Sequence, residues 1–356
     1  MSSDATTDVP AGSAGRPDAE PPHPAPSAGP AAKPRTARPA DPTAEPHAAD
    51  PARPDTLPPH AADPAPAHAH LGLGRLYLRR FSRNRLAVAG AVIFALLVLF
   101  AAFGGRLTDH AYTDADFAAL TQPPSGVHWF GTNQGGNDVY ACAVHGLQRS
   151  LTIAVSVSVL TIVLAAVIGS GAAYFGGRTE RATLAVIHFL LIVPSFLILA
   201  LVSHRLAGDW RVLIVVLTVF GWMSTARVIW SVSTSLRERD YVKAAEFMGV
   251  GPLRIILRHI IPNLGSLLIV NLTLGVVATV LSETALSFLG FGVQTPDVSL
   301  GTMLADGATT VTSAPWLFAF PAGLLVLLTV SMTLIGDGLR DALDPTSATG
   351  SAGGRR

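Results

Sequence analysis

Cysteine is almost missing from this chain of 356 residues: Cys142 stands alone. A single thiol excludes an intrachain disulfide and a Cys-based metal cluster. It leaves Cys142 to be read as a small buried apolar residue. Charge is scarce too. Asp, Glu, Lys and Arg make up 14% of the residues, against about 25% in a soluble domain. The formal net charge is only +1, and the charges sit in a few clusters rather than over one folded domain. That excludes the basic face of a nucleic-acid binder. The opening residues, MSSDATTDVP, lack the basic start and apolar core of a secretory signal, so no cleaved leader is expected there.

What is present is apolar, at 49% of the chain. Residues 1–72 are the exception. They carry 17 of the 26 prolines before residue 70, with Ala, Asp and five of the eleven histidines. Such a composition cannot bury enough apolar surface to offset the entropy of ordering. The tail is therefore expected to be disordered and partly extended as polyproline II. His68 and His70 within it offer metal-type donors, but no fixed geometry to hold an ion.

The remainder reads as an all-α membrane protein with six transmembrane helices. A helix needs about 20 apolar residues to cross roughly 30 Å of hydrocarbon. The expected spans are 86–103, 151–174, 183–206, 212–230, 264–289 and 316–335. Gly169 and Gly171 in the second suit close helix approach. The third carries His188, Pro194 and His204, and Pro194 is expected to kink it. The histidines are read as packing residues, although either imidazole can titrate. Arg227 lies near the end of the fourth.

Lys and Arg near the span ends set the orientation. Arg75, Arg79, Arg80, Arg83 and Arg85 place the N-terminal side in the cytoplasm. The segment 290–315 has no Lys or Arg and is expected outside. The loop 231–262 carries Arg237, Arg239, Lys243, Arg254 and Arg258 and is expected inside, as is the C-terminal tail.

That loop is long for a turn between membrane helices. Asp240 can cap a helix running through Tyr241, Val242, Ala244, Ala245 and Met248. Gly249 and Gly251 stop it, and Pro252 starts another. The second helix would set Leu253, Ile256 and Ile260 opposite Arg254 and Arg258. An interfacial helix pair on anionic lipid and a docking element for a cytoplasmic partner explain this pattern equally well.

The run from Tyr241 to Gly249, with Pro262 thirteen residues on, resembles the Glu-Ala-Ala loop of ABC importer permeases. Ala244, Ala245, Gly249 and Pro262 match its pattern. Lys243 stands where the family has Glu, His259 where it has Ile and Ile261 where it has Leu. Residues 79–89, 130–139, 173–177, 235–242, 283–294 and 336–345 resemble the oligopeptide/dipeptide permease C subunit in order. Gly136-Asn137-Asp138 replaces the usual Gly-Arg-Asp.

This resemblance implies a type I ABC importer transmembrane domain over 147–341. An N-terminal region at 73–146 would precede it and a C-terminal tail at 342–356 would follow. It implies a pore shared with a B-type permease, two ABC ATPase subunits and an extracytoplasmic binding protein. Tyr241, Lys243, Ala244, Ala245, Glu246, Gly249 and Pro262 would form the ATPase-coupling loop. No Gly-x-x-x-x-Gly-Lys-Ser/Thr phosphate loop occurs, so no cofactor is expected in this chain and ATP is expected on the partner subunits. Lys243 reverses the family's sign. It implies an acidic residue on the partner, a substitute pairing through Glu246, or a solvated charge without consequence. Lys243→Glu would uncouple transport only in the first case.

Glu283, inside the fifth span, is a functional candidate because an intramembrane carboxylate is costly. It can line the path, meet a substrate amine, or be satisfied locally by Thr284 or Ser287. The resemblance implies a gating or structural role. Two rival classes stand beside the importer reading. An ion-coupled secondary transporter predicts internal repeats and broken helices, of which none is visible. A membrane scaffold predicts docking without transport.

Overall fold

The computed structural model describes residues 73–194, residue 198 and residues 209–343. Among them, secondary structure is helical except for two isolated bridges, Ala115 with Asn137 and Thr132 with Asp138. The helices are α1 (Leu73–Phe81), α2 (Arg85–Phe103), α3 (Val139–Phe175), α4 (Gly177–Ile192), α5 (Trp210–Arg237) and α6 (Asp240–Phe247). They continue as α7 (Pro252–Phe288), α8 (Leu300–Thr309) and α9 (Trp316–Leu343). Five of these, α2, α3, α5, α7 and α9, are long and apolar enough to cross a bilayer. The expected tail 1–72, most of span three after Pro194, His204, and residues 344–356 fall outside the described residues.

For the first, second, fourth, fifth and sixth expected spans the centres match the apolar runs, but several ends do not. The side chain of Asn84 accepts from the Leu86 and Ala87 amides and starts α2 one residue before its apolar run. α3 begins at Val139, twelve residues before its run, because the Asp138 side chain caps it through the Ala141 amide. At about 1.5 Å per residue, its 37 residues far exceed the thickness of the hydrocarbon. α5 continues through 231–237, so the loop 231–262 is shorter than its polarity suggests. Ser233 is buried in this extension, and Arg237 Nη1 donates to the Ala173 carbonyl at 3.2 Å.

α4 ends at Ile192 with Val193 extended. Pro194 therefore stands just past the end of this helix, and the rest of the third expected span, residue 198 apart, lies outside the described residues. His188 is exposed on α4.

Two helices were not foreseen. α1 is a short basic amphipathic helix ending in Arg79 and Arg80. α8 lies in the segment expected to be plain loop. Ser299 and Thr302 form a reciprocal capping box at its start, which satisfies two otherwise orphaned amides.

The core of the described residues comprises four packed clusters, one of which joins Val139 and Cys142 of α3 to Met303 of α8 and Leu317 of α9. Leu97 and Ala101 of α2 meet Leu147 and Ala154 of α3, Val280 of α7 and Leu328 of α9. Ile153 and Val157 of α3 meet Leu213 and Leu217 of α5 and Leu286 of α7. At the end carrying α6, Ala165, Met223, Ile229, Val242, Ala245, Ile255, Ile256 and Ile260 pack together. Large apolar side chains such as Leu96, Val163, Val215 and Val330 point outward, as they must toward lipid.

The two glycines of α3 differ. A Cβ on Gly169 would lie 2.6 Å from the Ala226 carbonyl oxygen, while one on Gly171 would meet nothing within 4 Å. Only Gly169 serves close approach, here of α3 to α5. Gly169→Ala is expected to cost about 1–3 kcal/mol by overpacking. Gly171→Ala should be neutral or slightly stabilising, since alanine is the better helix former. Thermal unfolding of the two variants in detergent reads the difference.

Candidate functional site

α6 is held at one end of the bundle by its own pattern. Val242 and Ala245 are 1% and 2% exposed and face the core. The other side is bare: Tyr241 is 42% exposed, Met248 76% and Phe247 90%. Lys243, Ala244 and Glu246 are exposed as well. Of the two alanines of the motif, then, only Ala244 is available to a partner. Arg239 occupies the N-cap position and Asp240 the first turn, so Asp240 acts on the helix dipole rather than as the cap. Gly249 has φ +77°, a left-handed geometry that glycine adopts without strain, and its amide closes the helix on the Glu246 carbonyl.

The second expected helix of the loop is the start of α7. Pro252 opens it as expected. The helix then passes through a π turn at Ile256–Ile260 and a 3-10 turn at Ile261–Leu264, and so into the membrane span. Pro262 does not end it. The wide π turn absorbs the missing proline N–H. The buried face is Ile255, Ile256 and Ile260, whereas Leu253 is 67% exposed, which corrects the expected apolar side. Leu253, Leu257, Arg254, Arg258 and the exposed Pro262 line a shallow groove of about 740 Å³ at the start of α7.

Lys243 has a partner within the chain. Its Nζ lies 3.0 Å from Glu238 Oε2. The hydrogen bond and charge of Lys243 hold the Glu238 carboxyl below its ordinary pKa. The reversed sign at Lys243 is thus balanced by Glu238, a fourth possibility beside the three weighed from sequence. Exchanging the charges (Glu238→Lys with Lys243→Glu) is expected to restore whatever transport Lys243→Glu alone loses. A double variant as defective as the single one would instead assign Lys243 to an acidic group on a partner.

Glu283 is 1% exposed and faces the protein interior. Ser287 and Ser299 each donate to Oε1 at 2.7 Å. Ser150 Oγ lies 3.5 Å from Oε2 and accepts the Leu300 amide at 3.1 Å. One carboxylate thereby joins α3, α7 and the start of α8. Ser287 was a candidate partner from sequence; Ser150 and Ser299 were not. Thr284 Oγ1, the other candidate, has no hydrogen-bond partner among the described residues.

A second polar cluster was missed from sequence. His145 Nε2 and Arg149 Nε lie 2.6 and 2.7 Å from the two oxygens of Asp297. The Arg149 guanidinium sits 4.3 Å over the Trp210 ring, and Tyr112 stacks on His145 at 3.7 Å. Burial alone would raise the Asp297 pKa, but the hydrogen bonds from His145 and Arg149 outweigh it and hold the carboxyl below its ordinary value. A depressed carboxyl gives its stabilisation above the unfolded pKa and loses it as pH falls through the folded one, so the cluster is intact at neutral and mildly acidic pH. Asp297 also borders a cavity of about 590 Å³ between α3, α7 and α8.

Comparison with known proteins decides the family. Residues 162–348 match the family described as binding-protein-dependent transport system inner membrane component. The chain belongs to this family. Residues 72–124 of the permease match the N-terminal TM domain of oligopeptide transport permease C. The permease is 47% identical over 274 residues to the oligopeptide transport system permease protein OppC of Mycobacterium tuberculosis, covering 76% of this chain and 94% of that protein. It is 33% identical over 298 residues to OppC of Bacillus subtilis, covering 81% and 98%. To the dipeptide transport system permease protein DppC of the same organism it is 35% identical over 269 residues, covering 75% and 84%. The permease is accordingly a multi-pass membrane subunit of a transporter and not its catalytic component.

Proposed function

We propose that this permease forms half of the translocation pore of an ATP-driven importer of short peptides, and that α6 is the helix through which ATP hydrolysis reaches it. The observation that carries this reading is the division of α6. Val242 and Ala245 root it in the bundle, while Tyr241, Ala244, Phe247 and Met248 stand outward. A rigidly rooted helix with a bare apolar end transmits a push. Large exposed apolar groups rimmed by Lys243, Glu246 and Arg254 suit a protein partner.

In this reading the other half of the pore is a B-type permease, two ATPase subunits bind ATP beneath it, and an extracytoplasmic binding protein delivers substrate. The peptide class is supported by the relatives, which are named for oligopeptide and dipeptide transport. The basic residues of α1 and of the α5–α7 connection support termini on the cytoplasmic side. Domain limits at 73–146 and 147–341 fit the same scheme, with 1–72 and 342–356 as tails. Glu283 then acts as a strut that fixes α8 to the pore helices, and Pro194, where α4 breaks off, as a hinge.

Site-specific cross-linking tests this. The single native thiol, Cys142, is buried, so an added cysteine reports cleanly. Ala244→Cys is expected to cross-link to a co-purified ATP-binding subunit, and Val155→Cys, on the outward face of α3, is not. A permease that purifies alone, transports alone, and gives no Ala244→Cys adduct favours a secondary transporter.

A further inference from the structure

We infer that His110, His128 and Asp138 form a zinc-binding site that ties the segment after α2 to the start of α3. His128 and Asp138 are 6% and 2% exposed, and His110 is half-buried beside them. His128 Nδ1 lies 2.8 Å from Asp138 Oδ2. The His110 ring lies against that of His128, with centroids 4.8 Å apart and planes inclined at 31°. One donor atom from each of the three residues falls within 4.8 Å of the other two.

Two imidazoles and one carboxylate are a donor set for borderline divalent ions, and zinc suits them with no demand beyond tetrahedral geometry. Ligand bonds of about 2.0–2.2 Å place neighbouring donors roughly 3.4 Å apart around such an ion. The closest pair here, at 2.8 Å, stands inside that spacing, and the three donors lie within 4.8 Å of one another, so the wider separations must contract around the ion. In the proposed site the half-buried His110 ring moves toward His128 and Asp138 to close the set. The ring nitrogens of His110 have no hydrogen-bond partner among the described residues to hold them back.

The rest of the site tolerates the ion. Zinc takes the place of the proton that His128 and Asp138 share, and that proton leaves to solvent. Asp138 Oδ1 stays on the Ala141 amide at 2.8 Å, so α3 keeps its cap. Of the three residues, His110 is the one that solvent reaches. A structural His–Asp clasp alone needs only His128 and Asp138. The third donor, placed with its nitrogens unspent, is what points to a metal.

The test uses the full-length chain in detergent with Zn²⁺, and with Co²⁺ as a spectroscopic stand-in. Tail histidines such as His68 and His70 also bind metal, so the comparison is between variants. Zn²⁺ at low micromolar concentration is expected to raise the unfolding midpoint and to slow proteolysis of the segment 107–138. Co²⁺ is expected to give the visible absorption of a tetrahedral centre. His110→Ala, which leaves the His128–Asp138 clasp and hence the fold intact, should weaken Zn²⁺ binding by about tenfold or more and abolish both effects. His68→Ala with His70→Ala should leave them unchanged. No effect of Zn²⁺ on the wild type, an undiminished effect in His110→Ala, or an effect lost with the tail histidines each overturns the site.

Discussion

Replacing Glu283 by alanine is expected to lower the unfolding midpoint of the solubilised permease by on the order of 10 °C. Ser287 and Ser299 both donate to one oxygen of this carboxylate. Removing the acceptor leaves two buried hydroxyls without it, at about 1–3 kcal/mol for each. A midpoint shift of about 2–4 °C per kcal/mol, taken from soluble proteins, gives the estimate. Glu283→Gln should fall much less. Its amide oxygen still accepts from the serines, and its NH₂ can donate to Ser150 Oγ. The damage should concentrate in α8, because Ser299 is both the cap of that helix and a ligand of the carboxylate. Hydrogen exchange would then rise first around residues 297–309. A stable Glu283→Ala protein with a raised KM for peptides would turn the residue back into a substrate contact.

The sequence disclosed five of the expected spans because a bilayer imposes one length on every helix, and an apolar run of that length is hard to mistake. It did not disclose where helices stop. α5 passes beyond its apolar run, with Thr234 held on the Trp230 carbonyl and Arg237 on the Ala173 carbonyl. Asp138 extends α3 in the other direction by capping. The loop motif gave the glycine stop at Gly249 and the proline start at Pro252 correctly, since both follow from local backbone chemistry. It misplaced Leu253, because the buried stripe at the start of α7 runs through Ile255, Ile256 and Ile260 instead.

Long-range pairings were illegible altogether. Ser150 lies 133 residues from Glu283, and Asp297 lies 152 residues from His145; no local pattern ties either pair. The same holds for the Lys243–Glu238 bridge in a weaker sense. Its members are near in sequence, but only the turn between α5 and α6 aims them at each other.

Phe247→Asp is expected to cause the largest functional loss with the least structural cost. Phe247 is 90% exposed, so the substitution removes almost no packing, and a surface change of this kind normally stays within about ±0.5 kcal/mol of stability. Its effect should appear only when a partner covers it. A buried aromatic anchor at a protein interface is worth about 2 kcal/mol or more, roughly a thirtyfold change in affinity. An aspartate there adds the cost of an unpaired charge in an apolar contact. Transport should fall below a tenth of wild type, and ATP-binding subunits should be lost on purification, while expression and unfolding midpoint hold. Phe247→Leu should keep most activity, and Met248→Ala should lie between. The set also separates the two surfaces that the loop's composition left equal. If α6 lay on lipid, Phe247→Asp would weaken binding to anionic vesicles and leave the ATPase attached. If it docks a protein, vesicle binding would be unmoved and the ATPase would go.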